Sequence, residues 1–326
     1  MIKQEFVSMQ DKAVGAILGF ATGDALGVPA EFRSREELDA EPVRDMCGGG
    51  SHRQPAGTWS DDTSMVLCTM DSLMEKGIDY RDQMLRFGDW LWNASNTARD
   101  EVFDVGCTTK NAIISFSRGV PPLDCGETAE FSCGNGSLMR ILPTALYFMG
   151  QDQAPELNDR TAPVIHNISK CTHAHPRCLM ACGIYCAAAF QLYRGNDLPS
   201  AVKSGILSAL SYYEEKSEFA DVYHEFESLK SIDLRTKKQI HGSGYVLHTL
   251  EASLWCLLKT ASYEDCVLTA ISLGEDTDTT AAVAGGLAGL WYGVQAIPEK
   301  WLQKLAKYRE LKQRAEKFYC ACFKNS

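Results

Sequence analysis

Residues 274–291 read GEDTDTTAAVAGGLAGLW. Thr279 and Thr280 open an apolar run from Ala281 to Trp291, and the run has helical spacing rather than alternation. Asp276 and Asp278 stand just before it, with a hydroxyl from Thr279. DxD spacing also occurs in calcium loops, but those need a central Gly and a distal Glu at fixed offsets. Here Ala282 and Val283 follow instead. The stretch therefore reads as a buried helix with carboxylates at its N-terminus.

The same design occurs earlier in the chain. Gly57-Thr58-Trp59-Ser60-Asp61-Asp62-Thr63 precedes an apolar helical pattern at Met65, Cys68, Thr69, Ser72 and Leu73. One Asp would serve as a helix cap. Two adjacent carboxylates repel, more so when buried, and a cation between them removes the conflict. Taken together, Ser60, Asp61, Asp62, Asp276, Asp278 and Thr279 offer up to six oxygen ligands and no Cys or His. Such a set selects hard cations, Mg²⁺ or Mn²⁺, over Zn²⁺. The four carboxylates carry a formal charge that two divalent ions neutralise, so the spacing predicts a two-metal site.

Outward from these motifs the pattern stays helical. Val14, Ile17, Leu18 and Ala21 share a face, as do Val246, Leu247, Leu250, Leu254, Leu257 and Leu258. Alternation of period two is almost absent, and no fixed repeat is visible. The expectation is an all-α fold, a compact orthogonal helical bundle, with residues 1–326 forming a single domain. Loops are marked at Cys47–Gly57 and Val120–Asn135, and Ser217–Lys238 reads as a charged, solvated helix pair or surface insertion.

The chain has 326 residues, 45% hydrophobic and 23% charged, which suits a globular core and not a disordered or fibrous chain. Net charge is −10 with no Lys/Arg-dense stretch, so nucleic acid is an unlikely partner. Neither Cys178–Phe190 nor Ala281–Val294 is long enough to span a membrane, and the first residues lack the apolar core of an export signal. The thirteen cysteines include no CxxC pair. Cys178, Cys182 and Cys186 form one helical stripe that would suit a soft metal, though free cysteine is usually a small core hydrophobe in a reduced compartment. A cytoplasmic location is expected.

Three further segments carry chemistry. Ser132-Cys133-Gly134-Asn135-Gly136-Ser137-Leu138-Met139-Arg140 is a glycine turn whose amides suit a phosphate, with Arg140 in the following helical stretch available to pair with a carboxylate. In Thr172-His173-Ala174-His175-Pro176 the two His residues suit either metal ligation or a cap and a polar core contact. Gly15, Gly19, Gly23 and Gly27 form a smooth helix face, and Asp24 and Glu31 follow in an apolar run, where a carboxylate is paired or catalytic.

GDALGVPAE, GTWSDDTSM, GNGSLMR, THAHP, SGYVLHTLEA and GEDTDTTAA occur in an order that resembles the ADP-ribosylglycohydrolase family, from about Gly15 to Val294. The resemblance implies an all-α fold with a binuclear Mg²⁺ or Mn²⁺ cleft, and removal of ADP-ribose from modified protein side chains. It implies Ser60, Asp61, Asp62, Asp276, Asp278 and Thr279 as metal ligands, and Glu31 as the acidic residue that acts as base or orients water. It places Ser132 and Asn135 around ribose and diphosphate, His173 on the substrate, and Tyr245 in the pocket lining; the turn amides at Gly134 and Gly136 are expected to bind the same ligand. Ser132 stands where arginine-acting bacterial relatives carry Asp, as in relatives that act on serine-linked ADP-ribose. Glu275 stands where the family more often has Gly, and would add a carboxylate near the metals or narrow the site. The expected partner is ADP-ribose or an ADP-ribosylated protein. A non-catalytic ADP-ribose binder and a hydrolase of free ADP-ribosyl compounds are the competing readings.

Overall fold

Ser8 caps the first helix by accepting from the Asp11 amide, and that helix, α1, runs Met9–Gly27. The computed structural model describes residues 7–152, 154–195 and 197–323, and among these it has fifteen α-helices, three isolated β-bridges and no strand. After α1 come α2 (Arg35–Ala40), α3 (Asp61–Lys76), α4 (Tyr80–Asn93), α5 (Cys107–Ser117), α6 (Leu142–Gln151), α7 (Ala162–Lys170) and α8 (Pro176–Arg194). The second half holds α9 (Leu198–Glu214), α10 (Ala220–Phe226), α11 (Val246–Lys259), α12 (Tyr263–Ile271), α13 (Thr277–Tyr292), α14 (Glu299–Lys304) and α15 (Tyr308–Cys322). The fold is all-α.

Its axis is the antiparallel pair α1 and α13, which touch backbone to backbone. A Cβ on Gly15 would lie 2.5 Å from the Gly289 carbonyl oxygen, and one on Gly19 2.5 Å from that of Gly285. Gly23 faces Ala281, and Gly27 faces Thr277 and Asp278, in the same way. The four-residue glycine spacing thus sets a helix separation that no side chain would permit. Thr277 fixes the register, its Oγ1 donating to the Gly27 carbonyl at 2.8 Å. The C-terminal end of α1 is thereby held against the N-terminal end of α13.

Buried side chains from Ala13 to Phe323 form one continuous cluster. Cys178, Cys182 and Cys186 lie wholly inside it on α8, as core residues without disulfides. Met9–Ala30 is long and apolar enough to cross a membrane, a feature the sequence reading passed over, and 94% of its most apolar window is buried inside the chain. Ser217–Lys238 is more than a solvated surface. Phe219, Val222, Phe226, Leu229 and Ile232 recur at three- and four-residue intervals and are all buried beneath its charges. The α13 helix begins at Thr277 with Asp276 at the cap, so the DTD carboxylates fall in its cap and first turn, ahead of the apolar run.

Candidate active site

Asp24, near the end of α1, caps α3. It accepts from the Ser60 amide at 2.9 Å, the Thr63 amide at 3.0 Å and the Thr63 hydroxyl at 2.6 Å. These bonds use both oxygens, so of the two roles open to a carboxylate there, Asp24 takes the paired one. Burial pushes it up to about 6 in spite of them.

The cap orients the first turn of α3, where Asp61 and Asp62 sit. Thr279 joins the two acidic motifs directly, its hydroxyl donating to Asp62 Oδ1 at 3.3 Å. Asp278 accepts from the Thr279 amide on one oxygen. The other oxygens, Asp62 Oδ2 and Asp278 Oδ2, are buried with no partner among the described residues. One oxygen each of Asp24, Asp62 and Asp278 lies within 4.8 Å of the others. Burial, and then repulsion from neighbouring carboxylates, pushes Asp61, Asp62 and Asp278 well above the ordinary carboxylate range. Orphaned oxygens, an oxygen-only donor set and mutual repulsion together fit a hard divalent cation.

The cluster opens on a cavity of about 240 Å³. Of the residues anticipated from sequence, Glu31, Asp61, Asp276, Thr279, Gly134, Asn135, Gly136 and His173 line it. Ser60, Asp62 and Asp278 lie buried behind that wall. Ser132 and Tyr245 do not line it. Ser132 Oγ donates to Glu127 Oε2 at 2.6 Å, so its side chain braces the loop beneath the cavity. The Tyr245 hydroxyl donates to Glu225 at 3.2 Å, and its backbone region holds the glycine turn, with the Asn135 amide donating to the Gly244 carbonyl at 3.0 Å. Asn135 also uses both protons of Nδ2, one on Asp276 Oδ2 at 2.8 Å and one on Thr249 Oγ1 at 2.9 Å. It therefore orients an acidic residue of the cluster.

The rest of the geometry corrects particular expectations. Arg140 pairs with no carboxylate among the described residues. It ends a short 3₁₀ turn and donates to the Ile168 carbonyl at 3.0 Å and the Thr172 hydroxyl at 2.5 Å. His175 is a cap, its Nδ1 accepting from the Arg177 amide at the start of α8, while His173 faces the cavity. The Glu275 side chain is exposed and outside the cavity wall, so it neither narrows the site nor adds a carboxylate to it. Its backbone matters instead. Phe32 N donates to the Glu275 carbonyl at 2.7 Å and Glu275 N to the Arg33 carbonyl at 2.8 Å, tying the Glu31 loop to the DTD loop. Glu275 adopts φ +63°, the left-handed region that glycine favours.

Sequence reasoning missed His52 and Asp104. His52 Nε2 lies 2.5 Å from Glu31 Oε2 and 3.8 Å from Asp104 Oδ1, bridging two cavity-lining carboxylates. Both belong to irregular segments, where no periodicity marks a residue, although His52 follows the three glycines 48–50 that signal the loop. Burial and the charges of Asp104, Asp276 and Asp24 push Glu31 up to about 9.

The description of ADP-ribosylglycohydrolase matches residues 7–325. The ADP-ribosylarginine hydrolase Tri1 of Serratia proteamaculans (strain 568) is 32% identical over 95% of this chain and 80% of its own. The ADP-ribosyl-[dinitrogen reductase] glycohydrolase of Rhodospirillum rubrum is 31% identical over 91% of each chain. A solved structure described as an ADP-ribosylglycohydrolase-related protein complex superposes with a TM-score of 0.75 at 29% identity, covering 96% of this chain and 99% of that one. With the match running nearly end to end and the acidic residues assembled in one cleft, this chain belongs to the ADP-ribosylglycohydrolase family.

Proposed function

We propose that this protein hydrolyses the C1″ glycosidic bond of ADP-ribose attached to protein side chains, with arginine-linked ADP-ribose as the first substrate to test. The observation that carries the reading is the pair of orphaned buried oxygens, Asp62 Oδ2 and Asp278 Oδ2, behind a cavity lined by the glycine turn. Ser60, Asp61, Asp62, Asp276, Asp278 and Thr279 would hold two Mg²⁺ or Mn²⁺ ions, which supply a polarised water and an anchor for ribose hydroxyls.

The protein groups divide the remaining work. The amide of Gly136, at the cavity wall, makes no backbone hydrogen bond among the described residues and would meet the diphosphate. Asn135 keeps Asp276 aimed. Glu31, ionised once the cluster's charge is balanced, takes the proton of the attacking water as its oxygen bonds to C1″. His52 holds Glu31 by the 2.5 Å hydrogen bond. The C1″–N bond breaks, and the guanidine leaves neutral and takes up a proton, so charge and atoms balance. The acidic wall of Glu31, Asp61 and Asp104 suits a cationic guanidinium better than a neutral serine O-glycoside. Ser132 does not enter the cavity, so its identity does not argue for a serine linkage. The similar proteins named for ADP-ribosylarginine support the same choice.

Arginine-linked and serine-linked ADP-ribosyl peptides, incubated side by side with Mg²⁺, Mn²⁺ or EDTA, test the proposal. The expected result is metal-dependent release of ADP-ribose from the arginine peptide. Binding of ADP-ribose without release from either peptide would instead favour the non-catalytic binder, and release only from free ADP-ribosyl compounds the small-molecule hydrolase.

A further inference from the structure

We propose that the buried Arg140 is a positioning residue: through Thr172 it fixes the neutral His173 ring with its proton on Nε2, so that His173 presents a hydrogen-bond donor to an acceptor oxygen of the bound ligand. Naming that oxygen as a phosphoryl or ribose oxygen rests on the ADP-ribose reading above; the tautomer itself does not.

Arg140 is wholly buried and has no carboxylate partner among the described residues. Its guanidinium lies over the Phe87 ring, 4.8 Å from the centroid, and its Nε has no partner. A cation so placed is costly to retain for packing alone. A guanidinium has no acceptor, so Thr172 Oγ1 must accept from Arg140 Nη2 at 2.5 Å. The same oxygen lies 2.8 Å from His173 Nδ1, the remaining contact available to its single proton. The hydroxyl therefore donates to Nδ1, and the one ring proton of a neutral imidazole resides on Nε2.

The backbone that carries the ring is held as well. The His173 amide donates to the Ser169 carbonyl at 2.8 Å, and its carbonyl accepts from Ser169 Oγ at 2.8 Å. The Nε2 edge faces the glycine turn: a Cβ on Gly136 would lie 2.7 Å from His173 Cε1 and 3.2 Å from Nε2. His173 lines the cavity, and no partner within the described residues meets Nε2. Burial, and then the nearby Arg140 charge, disfavours a second ring proton and pushes His173 down to about 3. The donor is thus selected from inside the protein by a cation that never reaches the ligand.

The test is NMR of protein labelled with ¹⁵N-histidine, at neutral pH and without ligand, with the His173 signals assigned by their loss in His173→Gln. Protonated Nε2 and bare Nδ1 are expected; an Nδ1-protonated ring or an imidazolium overturns the inference. Thr172→Val removes the relay with little change of volume, and Thr172→Ser restores it, so folding and relay are separated. Thr172→Val is expected to lose the single tautomer and weaken ADP-ribose binding by about tenfold, the scale of one hydrogen bond to a charged group. Thr172→Ser is expected to match wild type in both. A Thr172→Val protein with unchanged tautomer and unchanged affinity overturns the relay. Wild type with the expected tautomer but no ADP-ribose binding would overturn the substrate reading and leave the relay standing.

Discussion

Asp62 and Asp278 each keep a buried oxygen without a partner, which makes them the most direct test of the cluster. Asp62→Asn or Asp278→Asn is expected to lower metal-dependent turnover by about a hundredfold or more, since even losses outside the ligand shell of a metal reach 10–100-fold. In EDTA the same changes remove a repelling charge, so the thermal midpoint should hold or rise, while the rise on adding Mg²⁺ shrinks. Calorimetry with and without metal checks both. The titration of the cluster has a defined sign. Asp24 rises from 3.8 to about 6 and Glu31 from 4.5 to about 9 on folding. A raised folded value means that the folded state binds protons more tightly, so the stability is present at low pH and lost as pH climbs through the folded values. Metal-free protein should therefore weaken between about pH 4 and pH 9 in denaturant titrations, and Mg²⁺ should flatten that slope. The acidic pairs were legible because adjacent carboxylates at two helix starts repel. Asp104, His52 and the Thr172 relay were not, because each gains its role from a residue brought near only by folding. Ser132 and Tyr245 read as ligand contacts, yet their side chains are taken by Glu127 and Glu225.

The α1–α13 pair makes a sharp contrast between glycines of the same type in helices. A Cβ at Gly19 meets the Gly285 carbonyl, whereas one at Gly88 in α4 meets nothing nearer than Trp92 at 3.9 Å. Gly19→Ala is expected to cost about 1–3 kcal/mol as overpacking, and to weaken Mg²⁺ binding by spreading the elements that carry Asp24 and Asp278. Gly88→Ala should add about 0.5–1 kcal/mol through helix propensity. Urea unfolding of the two variants decides whether the seam is as tight as described. At the loop before α13, Glu275 pays for its left-handed backbone. Glu275→Gly should add about 0.5–1 kcal/mol, the strain relieved less the freedom glycine gains when unfolded, with turnover unchanged. A loss of turnover would show that the exposed carboxylate works after all. The helix starts themselves were legible to within a few residues. The polar first turn of α13 and the buried stripe under Ser217–Lys238 were harder, since charge hides periodicity when the two share a segment.

Across the whole molecule, the net charge of −10 opposes an anionic ligand, and the local groups of the cleft must overcome it. Raising ionic strength from about 0.01 to 0.15 M screens the global field more than the short contacts, so association of ADP-ribose should become faster. Stopped-flow rates that fall with salt would mean that a positive field guides the ligand. The all-α class was legible from periodicity alone, but the antiparallel placement of residues 9–27 against 277–292 was not, because glycine spacing announces close packing without naming the partner. That seam also affects how mutational data on this protein should be read. Gly15 and Gly27 are twelve positions apart, about 18 Å of helix at 1.5 Å per residue. A saturation screen scored only by growth or turnover would mark this line of glycines as intolerant as the aspartates. A ranking by intolerance would then trace a false channel leading away from the cleft, and only a paired measurement of abundance would separate positions that perform the reaction from positions that merely leave room for it.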